Sequence, residues 1–241
     1  MDKVNIEQRL FTMIPLIKEK SVNVRIPVDN FCFMPVDDYK TGSKMPVFTK
    51  ENSVLFGRED FWGGKVDTHA WFHKKIAIPE RKIGTRYELS IKTNISEKEW
   101  DASNPQFIVY FDGYPVQGAD LNHTNVVLPD KNEVEVYVYA YTGTNLNDPA
   151  PVKFYADIIG IDETAERLYY DLKVPYDVLG FTDENTKEYV DILRYLNNSL
   201  NLIDWCSDEK MRASFTGAAD YIEKEFYGKY CKKGNVKVKC V

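Results

Sequence analysis

The chain has 241 residues, 44% hydrophobic and 14% aromatic, with 16 tyrosines and 13 phenylalanines. That length holds one large domain or two modest ones, and the aromatic excess favours β-strands over an all-helical protein. With 31 basic and 37 acidic residues the net charge is −6, and no basic stripe offsets it, which argues against nucleic acid or an anionic membrane as a partner.

The charged opening, Met1 to Arg9, is unlike a signal peptide, and no apolar run is long enough to cross a bilayer. The cysteines (Cys32, Cys206, Cys231, Cys240) are scattered and form no CxxC pair. They read as reduced structural residues, and a cytoplasmic location is expected.

Residues 1–22 read as an N-terminal helical arm, with Ile6, Leu10, Met13 and Ile17 at helical spacing and Pro15 disturbing the pattern. The arm is expected to pack on a larger body. From Val24 the period shortens. Val24 to Pro27 alternates, and Pro35, Pro46 and several glycines mark a long irregular connection. Strands are expected at Val54–Phe56, Ala70–Ile78, Tyr87–Lys92, Phe107–Phe111, Tyr114–Gln117, Val126–Leu128, Val134–Tyr141 and Val152–Ile161. Between two of them stands Asp112-Gly113, the dipeptide most typical of a two-residue hairpin. Many short strands without intervening helices predict an antiparallel, jelly-roll-like β-sandwich over 23–162.

Residues 163–233 return to helical spacing and predict a three-helix bundle. The first helix carries Ala165, Leu168, Tyr169, Leu172 and Tyr176, with Pro175 kinking or ending it. Thr182 caps a second that runs from Asp183 to about Ile203, and Ser207 caps a third that reaches about Tyr230. Gly234 stops the bundle. Val236 to Val241 then alternates as a strand and is read as the first strand of a further, missing domain.

Three groups of residues invite a chemical reading. His69, His73 and His123 could supply three imidazoles to zinc, but Ala70 stands where an HExxH motif needs glutamate, so satisfied strand histidines explain them better. Asp112 and Asp120 could be a glycosidase carboxylate pair, yet both sit in turn-like sequence where Asp bonds its own backbone. Glu51, Glu59, Asp60 and Asp67 form a loose acidic group without diagnostic spacing. Trp62, Trp71 and the tyrosines could stack on sugar rings, although a strand tryptophan such as Trp71 is more often core. Trp62, beside Gly63-Gly64, is the more open case. No nucleophile elbow, P-loop or dinucleotide turn occurs.

Taken in order, Trp62-Gly63-Gly64, Thr68-His69-Ala70-Trp71-Phe72, Ile76-Ala77-Ile78-Pro79 and the run from Asp112 to His123 resemble the N-terminal region of cytosolic-type α-mannosidases of glycoside hydrolase family 38. Leu168 to Leu172 and Leu193 to Asp204 are similar to the helices that follow in that family, and Val236 to Val241 to the strand entering its catalytic domain. The resemblance covers nearly the whole chain. It implies a retaining enzyme that removes terminal α-mannose using a divalent metal, usually zinc, and an aspartate nucleophile. The family's His-x-His-x-Asp motif is absent, so no catalytic residue and no metal ligand carries over, and this chain is expected to be inactive alone. Its implied partners are the catalytic domain of the same polypeptide, a mannose-containing oligosaccharide for the whole enzyme, and, optionally, further copies of itself. Trp62, Asp120 and His123 are the positions expected to touch substrate, with the catalytic domain attached. A freestanding lectin-like sandwich is the alternative.

Overall fold

The computed structural model describes residues 2–37, 45–94, 105–143 and 150–233. The expected strand at Val236–Val241 lies outside them. The chain divides into two compact units, one of residues 24–160 and one joining residues 1–23 to 161–241.

The first unit is the sandwich. Its six-stranded sheet runs β3 (Val54–Phe56), β2 (Phe31–Val36), β5 (His69–Ala77), β10 (Glu133–Tyr141), β7 (Gln106–Phe111), β8 (Tyr114–Ala119). Every neighbouring pair in it is antiparallel. A four-stranded sheet has the order β1 (Val22–Val28), β12 (Tyr155–Asp162), β6 (Thr85–Lys92), β9 (Asn125–Val127), and β4 (Trp62–Gly63) pairs with β11 (Pro151–Val152). Alternate residues of both larger sheets meet in one core, as two half-apolar faces must. Phe72 is its hub, stacked on Phe154 (centroids 4.2 Å apart, planes at 12°) and edge-on to Phe31, Phe56 and Trp62.

Strand β2 falls in what the sequence presents as an irregular connection. Proline removes a ladder donor, and Pro35 is accommodated because β3 pairs only with Phe31 to Phe33, leaving one side of β2 without a neighbour beyond that point among the described residues. The Asp-Gly expectation holds in detail. Asp112 (φ 51°) and Gly113 (φ 85°) both take positive φ, as a type I′ turn requires. Asp112 also accepts from Lys131 Nζ (2.6 Å) and from the Glu135 backbone N–H (3.0 Å). These bonds hold its carboxyl below the usual range.

In the second unit the predicted arm packs on a larger body, as expected. Helix α1 (Lys3–Ser21), capped by Asp2, contributes Leu10, Ile14 and Ile17 to the core shared with α2 (Glu163–Val178), α3 (Lys187–Asn201), α4 (Asp208–Tyr221) and the π-helical turn Ile222–Tyr230. The bundle therefore has four helices where sequence periodicity after residue 163 showed three. Arg9 reaches Asn197 and Asn201, and Tyr189 donates to Glu7 at 2.7 Å. Ser207 caps α4 as expected, accepting from the Lys210 N–H, while α3 is capped by Thr186 rather than Thr182. Thr182 instead ends the 3₁₀ turn Leu179–Phe181, its hydroxyl donating back to the Val178 carbonyl. Pro175 lies inside α2 and does not end it.

Two stability experiments follow from these contacts. Gly113→Ala forces a side chain into left-handed backbone and is expected to cost about 1–2 kcal/mol in urea unfolding, with Gly113→Asn milder because Asn tolerates that region. Burial and the Glu7 carboxylate push Tyr189 up to about 12, from an ordinary value of 10.0. Folded Tyr189 thus stays protonated where the unfolded phenol ionises. Its stabilisation is complete below the unfolded value and declines as pH rises toward the folded one. Tyr230, also pushed up to about 12 by burial and Asp191, adds to the decline. Circular dichroism of alkaline unfolding should show this slope, and Tyr189→Phe should make it shallower.

Candidate functional site

The chemically capable residues concentrate on the outer face of the six-stranded sheet. Along β5, Ala70, Phe72 and Ile76 point into the core, so His69, Trp71, His73 and Lys75 point outward. Strand β10 sets Tyr141, Tyr139, Tyr137 and Glu135 directly opposite those four residues. Cross-strand pairing therefore turns sequence alternation into two stacks of rings.

In one stack His73 lies between Tyr137 (4.3 Å) and Phe48 (5.0 Å), with its Nε2 2.6 Å from Glu135. In the other His69 lies between Tyr141 (4.8 Å) and Tyr139 (5.9 Å), with Nε2 3.1 Å from Asp67 and Nδ1 bonded to the Tyr139 hydroxyl. Trp71 packs against Tyr110 and Tyr139 between them, and together with Met34 these three are buried. Met45 and Phe48 pack on the same cluster. Burial, followed by the charges of Glu135 and Asp112, raises the Tyr137 phenol. The outer face is thus a second, smaller aromatic core with a polar margin. At most of its length the ring faces are spent on one another, so it is not an open sugar platform.

Of the residues expected to touch substrate, Asp120 and His123 share one turn, while Trp62 lies in the core. Trp62 is only 3% exposed and packs against Phe72 and Phe107, so its ring presents no face to solvent. Its indole N–H has no partner among the described residues. The adjoining glycines, which made Trp62 look open in sequence, serve close packing. A Cβ at Gly63 would stand 2.9 Å from Thr142 Cγ2, and one at Gly64 3.0 Å from Pro151 Cγ. Asp120 and His123 form an exposed turn after β8. Asp120 Oδ1 accepts from the backbone N–H groups of Asn122 and His123, both at 2.8 Å, and lies 3.0 Å from His123 Nδ1. Partial burial opposes ionisation of Asp120, but the bonds from His123 and Asn122 outweigh it and hold the carboxyl low.

The three histidines do not converge. Each is paired with a different carboxylate, and among the described residues no group of three or more His, Cys, Asp or Glu is placed to hold a metal ion. Asp112 and Asp120 each have a turn to hold. Glu59 pairs with Lys153 at 2.5 Å, and Asp60 accepts from the Gly57 N–H. A partly exposed ion network that sequence spacing gave no sign of joins Arg58 to Asp29 and Asp157, with Arg25 on the far oxygen of Asp157 at 2.7 Å. No helix among the described residues is long and apolar enough to cross a membrane.

No known family model matches the chain, and no curated protein matches it. Solved structures similar to it include Bacteroides uniformis β-glucuronidase, at 11% identity and TM-score 0.34 over 55% of this chain and 18% of that one. The CBM51-2 and INT domains of Clostridium perfringens ZmpB, in complex with GlcNAc, match at 16% identity and TM-score 0.26 over 86% of this chain and 44% of theirs. The xylan-binding module CBM15 matches at 12% identity and TM-score 0.29 over 58% of this chain and 97% of its own. The match spans less than a fifth of the glucuronidase's length. These are glycosidases and carbohydrate-binding modules by name, but scores this low decide nothing about the activity of this chain.

Core and turn roles predict different losses. Trp62→Ala should cost about 3–5 kcal/mol, the range for deleting a buried aromatic, whereas Asp120→Ala should cost about 1 kcal/mol, the worth of its turn bonds. Melting curves of the two variants check this.

Proposed function

We propose that this chain is the accessory N-terminal portion of an α-mannosidase of the glycoside hydrolase family 38 type, a scaffold for a catalytic domain carried on the same polypeptide. The ordered motifs from Trp62 to His123 are the ground for the family. What supports a scaffold role is the engagement of each candidate catalytic group in the fold: His69 and His73 in ring stacks, Asp112 and Asp120 in turns, Trp62 in the core. In this reading the zinc-type metal, the nucleophile and the general acid belong to the catalytic domain, which acts on a mannose-containing oligosaccharide in the cytoplasm. The sandwich and bundle brace that domain.

Two measurements test the reading. The 241-residue chain alone should not release nitrophenol from p-nitrophenyl α-mannoside, and turnover by it would overturn the scaffold assignment. The coding sequence past Val241 should specify His-x-His-x-Asp within a few residues, and a stop codon there would overturn the family assignment.

The second reading, a freestanding lectin-like module, draws on the aromatic outer face of the sheet and would need neither extension nor metal. Calorimetric titration of the chain with mannosides separates it from a purely bracing role.

A further inference from the structure

One corner of the outer face differs from the rest, and we propose that it is a binding site for a neutral hexose, made by Asp67, His69 and Tyr141. The inference rests on the carbohydrate-related reading above and not on the α-mannosidase assignment. Along most of the sheet the rings and carboxylates satisfy one another. At the β5 and β10 ends nearest Gly143 they do not. Asp67 spends Oδ1 on His69 Nε2, while its Oδ2 has no hydrogen-bond partner among the described residues and its side chain is 61% exposed. The Tyr141 hydroxyl has none there either, and its half-buried ring packs on the outer-face cluster and stacks on His69, at 4.8 Å and 21°. Among the described residues, both unsatisfied groups therefore flank one imidazole.

The corner is also held in place. The Asp67 N–H donates to the Gly143 carbonyl at 2.7 Å. The Thr142 hydroxyl donates to the Lys65 carbonyl and accepts from the Thr68 N–H, each at 3.0 Å. These ties keep Asp67 at φ 56°, a left-handed conformation uncommon for a residue other than glycine. A strained residue that the surrounding bonds over-determine is a reason to look for a ligand. A carboxylate oxygen accepting from vicinal hydroxyls, with an aromatic face against the C–H side of a pyranose, is the chemistry this geometry offers. Burying part of an anion against another anion is costly, so a neutral sugar fits and a uronic acid does not.

Saturation-transfer NMR and calorimetry on the 241-residue chain test the site, with methyl α-mannoside, methyl β-glucoside and methyl β-glucuronide as probes. At least one neutral glycoside should bind with a dissociation constant of about 1 mM, the weak end expected of so small a contact. Asp67→Asn, which keeps the left-handed backbone tolerable, and Tyr141→Ala should each weaken it by about tenfold. Tyr141→Phe, which keeps the ring and removes only the hydroxyl, guards against loss through misfolding and should weaken binding less than Tyr141→Ala does. Unchanged binding in Asp67→Asn and Tyr141→Ala overturns this corner while leaving carbohydrate binding elsewhere. No binding of either neutral glycoside at tens of times that concentration overturns the site outright. Glucuronide binding as tight as that of the neutral glycosides overturns the sugar class. None of these outcomes bears on whether His-x-His-x-Asp follows Val241.

Discussion

The register between β5 and β10 is the constraint on which the sandwich depends. A slip of one residue would exchange Phe72 for Trp71 or His73 in the core, because successive strand side chains face opposite ways. Phe72 meets Phe31, Phe33, Phe56, Trp62 and Phe154, which come from four separate stretches of chain. Losing that position would unseat all five at once. The opposite face is equally particular, since His69, Trp71 and His73 find their ring partners only when Tyr141, Tyr139 and Tyr137 stand across from them. Few sheets specify both faces with aromatic contacts, and here the two faces reinforce one register.

That double use accounts for seven of the 13 phenylalanines and four of the 16 tyrosines without appeal to a ligand. Phenylalanines fill the layer between the sheets, where no polar partner is needed. Tyrosines and histidines fill the outer layer, where the imidazoles reach Asp67 and Glu135 at its margin. The sheet edges are managed too. Strand β8 carries Pro115 and a register irregularity opposite Val109 and Tyr110, and β3 is only three residues long. Both devices discourage a further strand from adding.

Much of this could be read from sequence where a single periodicity ruled. The alternation of β10, β5, β6 and β7 and the Asp-Gly hairpin were legible because each is a local pattern. Strand β4, two residues long, carries no period, and β2 is hidden by Pro35 and by glycines that follow it. Thr182 and Thr186 are equally good caps on paper, and only the 3₁₀ turn before them decides. The membership of α1 in the bundle depends on contacts across more than 180 residues of chain, such as Tyr189 with Glu7, which no local pattern encodes. The same limit applied to the sites. Gly63-Gly64 signals close backbone approach, but not that Trp62 is the group being enclosed. The Asp67 corner gives no motif because its parts come together only when β5 pairs with β10.

The bundle's two-part construction has a consequence for how the chain is made. Its first helix leaves the ribosome before any of the sandwich, yet the helices that cover Leu10, Ile14 and Ile17 are translated only after residue 160. During that interval the sandwich, whose residues are contiguous, can complete its own core, while α1 waits with an apolar face exposed. The helical unit's core can close only after residues beyond 160 are made, so closure of this long loop comes late. Chains that stall or are cleaved within the sandwich would carry an unsatisfied amphipathic helix at their start. That is a recognisable handle for chaperones and proteases.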